Sequence, residues 1–322
     1  MISKKLKSNN PELPAHIANI YKILNDENAR YKDAKDIAKK IKQFIKDNNH
    51  DPYEIFKWFC CEPEDEQSPP PPDKNNNPEY YFLIGFLWEW GIGIESSMKD
   101  SFYWYQLAAE STKDDPVVHN QGKKNLANCY ANGLGVARDL QKALQLYQES
   151  AQAAYYESAL ILAQYLKSDA ESQENQEKSF NWIRIAAYDS YPPAQTELGL
   201  HHLNSSKAES AKEWFKLAAE NGEPRGQIQY AHFTRDSTEK FTYFKKAAEA
   251  GDIEGLYRLG DCYLMGIGTR IDWNKATRCF LKVAEKNGND FDTYTLLACH
   301  FSLGIGCSKD MHQTMRYYKC KI

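Results

Sequence analysis

Apolar and small residues recur along this chain with a long period that predicts a repeated pair of amphipathic helices. A leucine or similar residue followed by a small one marks the first helix, and a bulky or aromatic pair followed by two small residues marks the second. Seven copies in phase predict one repeat architecture from about residue 79 to the C-terminus. Their first markers are Ile84-Gly85, Leu126-Ala127, Leu162-Ala163, Leu198-Gly199, Tyr230-Ala231, Leu259-Gly260 and Leu297-Ala298.

Paired glycines follow the first helix in four of the seven copies, and the three middle copies lack them. Glycine ends a helix and accepts the positive φ that a tight reversal needs. Asp139, Asp272 and Asp310 stand where the N-cap of the second helix is expected. The unit is therefore a helical hairpin that must stack on its neighbours to bury its apolar stripe. The pairs are Gly91 and Gly93, Gly133 and Gly135, Gly266 and Gly268, and Gly304 and Gly306.

The copy that begins at Leu259 carries the most specific pattern. It reads Leu-Gly-x-x-Tyr-x-x-Gly-x-Gly and then, from Asp272, Asp-x-x-Lys-Ala-x-x-x-Phe. This pattern resembles the Sel1-like repeat, a relative of the tetratricopeptide repeat. The resemblance implies an all-α, right-handed solenoid of about seven helix pairs that acts as a non-enzymatic adaptor, scaffold or inhibitor. Intracellular bacterial pathogens use many such proteins, so it also implies a host factor or a secreted bacterial effector as the partner, and an effector or a regulator of an effector as the role.

The chain outside the repeats divides into three segments by composition. Residues 1–14 are polar and lysine-rich and are predicted to be disordered. Residues 15–61 hold three amphipathic stretches, which we expect to form a small helical unit that caps the first repeat. Residues 62–78 form an acidic linker whose run from Pro69 to Pro72 favours a stiff, extended spacer. The repeats then occupy residues 79–322.

Composition limits the classes of function. Apolar residues make up 42% and aromatic residues 13% of the chain, enough for a packed core, while the net charge of −4 gives no basic field for nucleic acid. The first 50 residues are basic, which leaves open a membrane-surface protein that uses the segment from Lys32 to Lys46. No signal peptide or apolar run of transmembrane length is visible. We therefore expect a cytoplasmic monomer, or one translocated into a host cell by a signal not legible here.

The residues that could carry chemistry favour a structural role. The eight cysteines do not recur in register, and Cys129 and Cys262 share a buried position, so free thiols are expected rather than disulfides. Cys60-Cys61 lacks the spacing of a zinc site, and His201-His202 point in different directions on a helix. No nucleotide or nucleophile motif occurs, which predicts no metal, no cofactor and no enzyme activity. The alternative is a periplasmic cell-wall hydrolase, or a partner of cell-wall enzymes, which requires export and ordered disulfides.

Alignment with tetratricopeptide repeats predicts which side chains line the concave side of the solenoid. Aromatic and charged residues mix there, as they do in protein interfaces, and Trp90, Arg235 and Tyr257 are the expected anchors. The predicted protein-binding residues are Phe86, Glu89, Trp90, Lys124, Asn128, Gln164, Lys167, His232, Arg235, Tyr257 and Asp261. The same alignment also points Asn132, Thr196, Asn204, Asp236 and Met265 to that side.

Overall fold

The computed structural model describes residues 19–20, 23, 34–59, 81–111, 116–168, 172–286 and 291–319. The predicted disordered segment 1–14, the linker 62–78 and most of the first predicted N-terminal helix lie outside these residues. The helices are α1 Ala34–Asp47, α2 Pro52–Phe59, α3 Tyr81–Trp90, α4 Met98–Glu110, α5 Pro116–Asn132, α6 Leu140–Gln152, α7 Tyr156–Ser168, α8 Gln173–Tyr188, α9 Pro192–Asn204, α10 Ala208–Glu220, α11 Pro224–Phe233, α12 Ser237–Glu249, α13 Ile253–Met265, α14 Trp273–Lys286, α15 Phe291–Leu303 and α16 Met311–Lys319.

The predicted all-α repeat fold is confirmed, because the helices from α3 to α16 follow one another as consecutive hairpins. In each hairpin the first helix is called the A helix and the second the B helix. The chain divides into two compact units, Met1–Trp182 and Ile183–Ile322, and the division falls within α8.

In the first unit the N-terminal helices pack directly on the first hairpin. Ile41 of α1 and Phe56 of α2 share a core with Leu87 of α3, and the rings of Phe56 and Trp88 meet edge to face at 5.3 Å. A Cβ added to Gly93 would lie 2.0 Å from the carbonyl oxygen of Pro52, the first residue of α2. Helices α1 and α2 therefore pack on the apolar side of the first hairpin.

An aromatic ring of the B helix lies on the small residue of the A helix in both units. A Cβ added to Gly85 would lie 2.7 Å from the ring of Tyr105, and one added to Gly260 would lie 2.6 Å from the ring of Phe280. The space beside this residue is occupied by a ring, which explains why the residue after the leucine must be small.

Close backbone approach occurs between successive hairpins. The two small residues of each B helix meet the beginning of the next A helix. A Cβ on Gly122 would lie 2.7 Å from the carbonyl carbon of Ala108 in the first unit, and one on Gly255 would lie 2.8 Å from the Cβ of Ala247 in the second. The alanine pairs seen in the sequence are therefore the contact between neighbouring repeats.

The glycine turns and the aspartate caps take the predicted conformations. All eight paired glycines have positive φ, between 57° and 78°. The carboxylates of Asp139 and Asp272 each accept a hydrogen bond from a backbone N–H three residues on, at 3.0 Å. The carboxylate of Asp310 accepts two, from His312 and Gln313. These bonds satisfy amides that have no partner within the first turn of the helix.

The two glycines of one turn should respond differently to the same substitution. Both Gly133 and Gly135 have positive φ, so Ala at either position should cost about 1–2 kcal/mol in the free energy of unfolding. A Cβ on Gly135 would also lie 2.1 Å from the carbonyl oxygen of Met98, whereas Gly133 has no neighbour closer than 3.5 Å. Overpacking should add about 1–3 kcal/mol to the cost of Gly135→Ala.

Urea denaturation of the two single variants measures this difference. Equal losses of stability at the two positions would show that the turn does not rest on the preceding B helix.

Candidate protein-binding surface

In the first unit, a hydroxyl from the B helix supports two of the predicted side chains. The O–H of Tyr105 donates to Oε2 of Glu89 at 2.6 Å, and that of Tyr147 donates to Oδ1 of Asn128. Both tyrosines are buried, so each hydroxyl extends from the core to a polar side chain on the A helix. A buried tyrosine hydroxyl therefore holds the side chain of Glu89, and a second one holds that of Asn128.

The electrostatics of Glu89 reflect this partly buried setting. Burial raises the pKa of the Glu89 carboxyl above its usual value, and the hydrogen bond from Tyr105 and the charge of Lys124 oppose that shift. Burial and the carboxylate of Glu89 raise the pKa of Tyr105 well above its usual value. The hydroxyl therefore stays protonated and keeps its role as donor.

Two predicted residues of the first unit belong to the core side. Phe86 is only 5% exposed and packs in the cluster that includes α1 and α2, so it offers no surface for a partner. Trp90 is partly buried against the same cluster, with its ring 6.2 Å from that of Phe86. The alignment failed at Phe86 because it used spacing within one repeat, which does not show that α1 and α2 cover this side chain.

The remaining predicted residues of the first unit lie on α5 and α7. Nζ of Lys124 forms an ion pair with Oε1 of Glu157 at 3.0 Å, which joins the two A helices. Gln164 and Lys167 are exposed on α7. The predicted residues of this unit that stay at least partly accessible are thus Glu89, Lys124, Asn128, Gln164 and Lys167.

The second unit carries a row of charges along α11 and α13. Nε2 of His232 lies 3.9 Å from Oε1 of Glu254, and the guanidinium of Arg258 lies 3.5 Å from that same oxygen and 3.6 Å from Oδ2 of Asp261. Burial and the charge of Arg258 lower the pKa of His232, and burial raises the pKa of Asp261. Arg235 is exposed just after α11.

Rings from the B helices support this row as the tyrosines do in the first unit. The ring of Phe244 lies 5.4 Å from that of His232, and the ring of Phe280 lies 5.5 Å from that of Tyr257. The guanidinium of Arg258 is 5.7 Å from the centre of the Tyr257 ring. The Tyr257 ring therefore lies against both a buried ring and a cation.

Sequence reasoning missed a cavity of about 600 Å³ that lies beside Tyr257, between α13 and α15. Its lining residues include Tyr257, Leu264, Asp292, Thr295, Cys299 and His300. Cys299-His300 follows Ala298 as Asp261-Cys262 follows Gly260, so the repeat register could have placed these residues beside Tyr257. Nδ1 of His300 is 2.7 Å from Oγ1 of Thr277, a contact that fixes its ring.

Of the additional residues predicted for the concave side, three form hydrogen bonds within the protein and a fourth is exposed at a helix end. Thr196 is buried and donates to Oε2 of Glu223 at 2.8 Å, and Asp236 is the N-cap of α12. Asn132 donates to the carbonyl of Asn128, and Asn204 is exposed at the end of α9.

The described cysteines Cys129, Cys262, Cys279, Cys299 and Cys307 are free thiols, and the first three are buried. Burial raises the pKa of Cys129 to about 12 and that of Cys262 to about 11. Among the described residues, no group of three or more His, Cys, Asp or Glu is placed to hold a metal ion. Nor does any described helix have the length and apolarity needed to cross a membrane.

The chain matches the family model of the Sel1 repeat over residues 78–112, 123–155, 157–191, 192–223, 241–252, 253–288 and 292–320, which is more than half of its length. An uncharacterized Sel1-like repeat-containing protein of Schizosaccharomyces pombe is 29% identical over 60% of this chain, and the match spans only 27% of that protein. The chain therefore corresponds to about a quarter of that relative's length.

Two solved structures share the fold. A Sel1 repeat protein from Oxalobacter formigenes superposes with a TM-score of 0.58 at 20% identity, covering 99% of this chain and 89% of that one. A protective antigen present in uropathogenic Escherichia coli strains, described as displaying an SLR fold, gives a TM-score of 0.59 at 22% identity, covering 76% of this chain and 53% of that one.

Replacing Glu89 by Gln should stabilise the protein more as the pH rises. Because the folded-state pKa of Glu89 lies above its ordinary value of 4.5, ionisation costs more in the folded state than in the unfolded state. That cost is absent below the unfolded pKa and develops as the pH rises through the folded pKa. The difference in unfolding free energy, Glu89→Gln minus wild type, should therefore increase from about pH 4 to about pH 7.

Urea denaturation at several pH values measures this difference. In a Tyr105→Phe background, which removes a hydrogen bond to the carboxylate, the increase should be larger. A difference in unfolding free energy that stays constant or falls as the pH rises would contradict a raised pKa of Glu89 in the folded state.

Proposed function

The chain is a member of the Sel1 repeat family, and from that membership we propose that it is a non-enzymatic scaffold that binds another protein through its A helices. Proteins of this repeat class are usually non-catalytic and bind proteins. Adaptor, inhibitor and effector-regulator roles would all use this same face, and the identity of the partner distinguishes them.

The observation that carries the proposal is the environment of Tyr257 in the second unit. This ring rests on Phe280, lies beside the guanidinium of Arg258 and borders the cavity between α13 and α15. An aromatic side chain with a fixed position, a neighbouring cavity and a surrounding row of charges is the composition of a binding hot spot. We propose that a partner side chain enters the cavity while polar groups of the partner meet His232, Arg258 and Asp261.

In the first unit, Glu89, Lys124 and Asn128 support the same proposal. Their side chains are held by a tyrosine hydroxyl or by an ion pair, so little conformational entropy remains to be lost when a partner binds. We propose that this set adds specificity to binding, because polar contacts of fixed geometry penalise a partner with the wrong groups.

Affinity capture with the full chain, followed by mass spectrometry, tests the proposal and identifies a partner for calorimetry. Tyr257→Ala combined with Arg235→Glu should weaken binding at least about 30-fold, because an anchor of this kind contributes about 2 kcal/mol or more. The variant's thermal unfolding shows whether it remains folded.

Lys216→Glu is the matched control, since Lys216 is exposed on the B helix α10 of the same unit. It should leave the affinity unchanged. Failure of the intact protein to bind any protein specifically, or an equal loss of affinity in the control, would contradict an A-helix binding face.

A further inference from the structure

Large apolar side chains are exposed together at the A–B turns of the last two hairpins. Met265 and Leu303 end the A helices α13 and α15, Trp273 and Met311 begin the B helices α14 and α16, and Ile271 lies between the first two helices. Each is more than half exposed. These five residues are called the hairpin-tip patch.

Hydrogen bonds and close backbone packing bring together the two turns that carry these five residues. In each hairpin the residue before the B helix bonds back to the A helix: the N–H of Asp272 donates to the carbonyl of Tyr263 and that of Asp310 donates to the carbonyl of Phe301, both at 2.9 Å. A Cβ on Gly306 would lie 2.1 Å from the carbonyl oxygen of Trp273, so the two tips are in contact.

The fold itself does not require apolar residues at these positions. In the second unit, the equivalent positions of the α9–α10 hairpin are held by Asn204 and Ala208, and α12 begins at Ser237. All three are exposed. Within the second unit, only the two C-terminal hairpins place a large apolar residue at both the end of the A helix and the start of the B helix, and exposing such groups to water without a function is unfavourable.

Exposed cations surround the patch. Arg270, Lys275 and Lys309 lie in or next to the two turns. Of the two carboxylates there, Asp272 forms an ion pair with Lys275 at 3.2 Å. Both Asp272 and Asp310 accept backbone N–H groups at the partly positive ends of α14 and α16, a favourable setting for a negative charge. Residues 265–322 hold nine Lys and Arg against five Asp and Glu, although the whole chain has a net charge of −4.

We propose that the hairpin-tip patch docks on the surface of an anionic lipid bilayer, with Trp273 and its apolar neighbours entering the headgroup region. Trp, Met, Leu and Ile flanked by Lys and Arg are the combination that binds such interfaces. A second copy of the chain is a poorer occupant, because it would bring Arg270 and Lys309 against like charges. The side chains stand at turn ends rather than in a groove between helices, which suits a flat surface better than a docked helix.

Sedimentation of the full chain with vesicles tests the proposal. The wild type should pellet with vesicles of phosphatidylcholine containing about one third phosphatidylserine and remain in solution with pure phosphatidylcholine. Trp273→Ser combined with Met311→Ser, and separately Arg270→Glu combined with Lys309→Glu, should each reduce the partition coefficient at least about tenfold.

Matched controls lie on the B helices of the same unit. Leu217→Ser removes an exposed apolar side chain from α10, and Lys216→Glu with Lys245→Glu reverses two exposed charges. Both should bind like the wild type. The proposal would be overturned if these controls lost binding to the same extent, or if the wild type did not bind anionic vesicles. It would also be overturned if binding were lost only in a variant of α1 that carries Lys39→Glu, Lys42→Glu and Lys46→Glu. Binding of an acidic helical peptide in place of vesicles would contradict it as well.

Discussion

Each unit of this protein depends on a ring of a B helix resting on a residue of the A helix that has almost no side chain. At Gly85, Gly199 and Gly260 the ring occupies the space where a Cβ would stand. The contact closes the hairpin and fixes the distance between its two helices. Glycine lowers the intrinsic stability of a helix by about 1 kcal/mol relative to Ala, and burial of a whole aromatic side chain offsets that loss.

The same contact connects the core to the surface. The aromatic side chains of the B helices also contact residues near the surface of the A helices. Tyr105 and Tyr147 donate hydrogen bonds to Glu89 and Asn128, and the ring of Phe280 packs against that of Tyr257. The side chains available to a partner are therefore held by the groups that stabilise the fold. Variation at the surface can change what is bound without changing how the hairpins close.

Much of the fold could be predicted from the sequence, because its signals are local. The glycine turns and the caps at Asp139, Asp272 and Asp310 follow from backbone conformation and from unpaired amides, and the structure confirms them. The site was harder to predict. Phe86 lies in the core because α1 and α2 cover it, and the cavity beside Tyr257 is formed by residues of two hairpins. Both depend on contacts between distant parts of the chain, which spacing within one repeat does not reveal.

A double-mutant cycle at Gly260 and Phe280 tests the central claim most directly. In the wild type, Gly260→Ala should destabilise the protein despite the better helix propensity of Ala, because its Cβ would lie 2.6 Å from the ring. In a Phe280→Leu background the ring is absent, and the same substitution should become neutral or stabilising by up to about 1 kcal/mol. Additive effects in the cycle, or a stabilising Gly260→Ala in the wild type, would contradict the account.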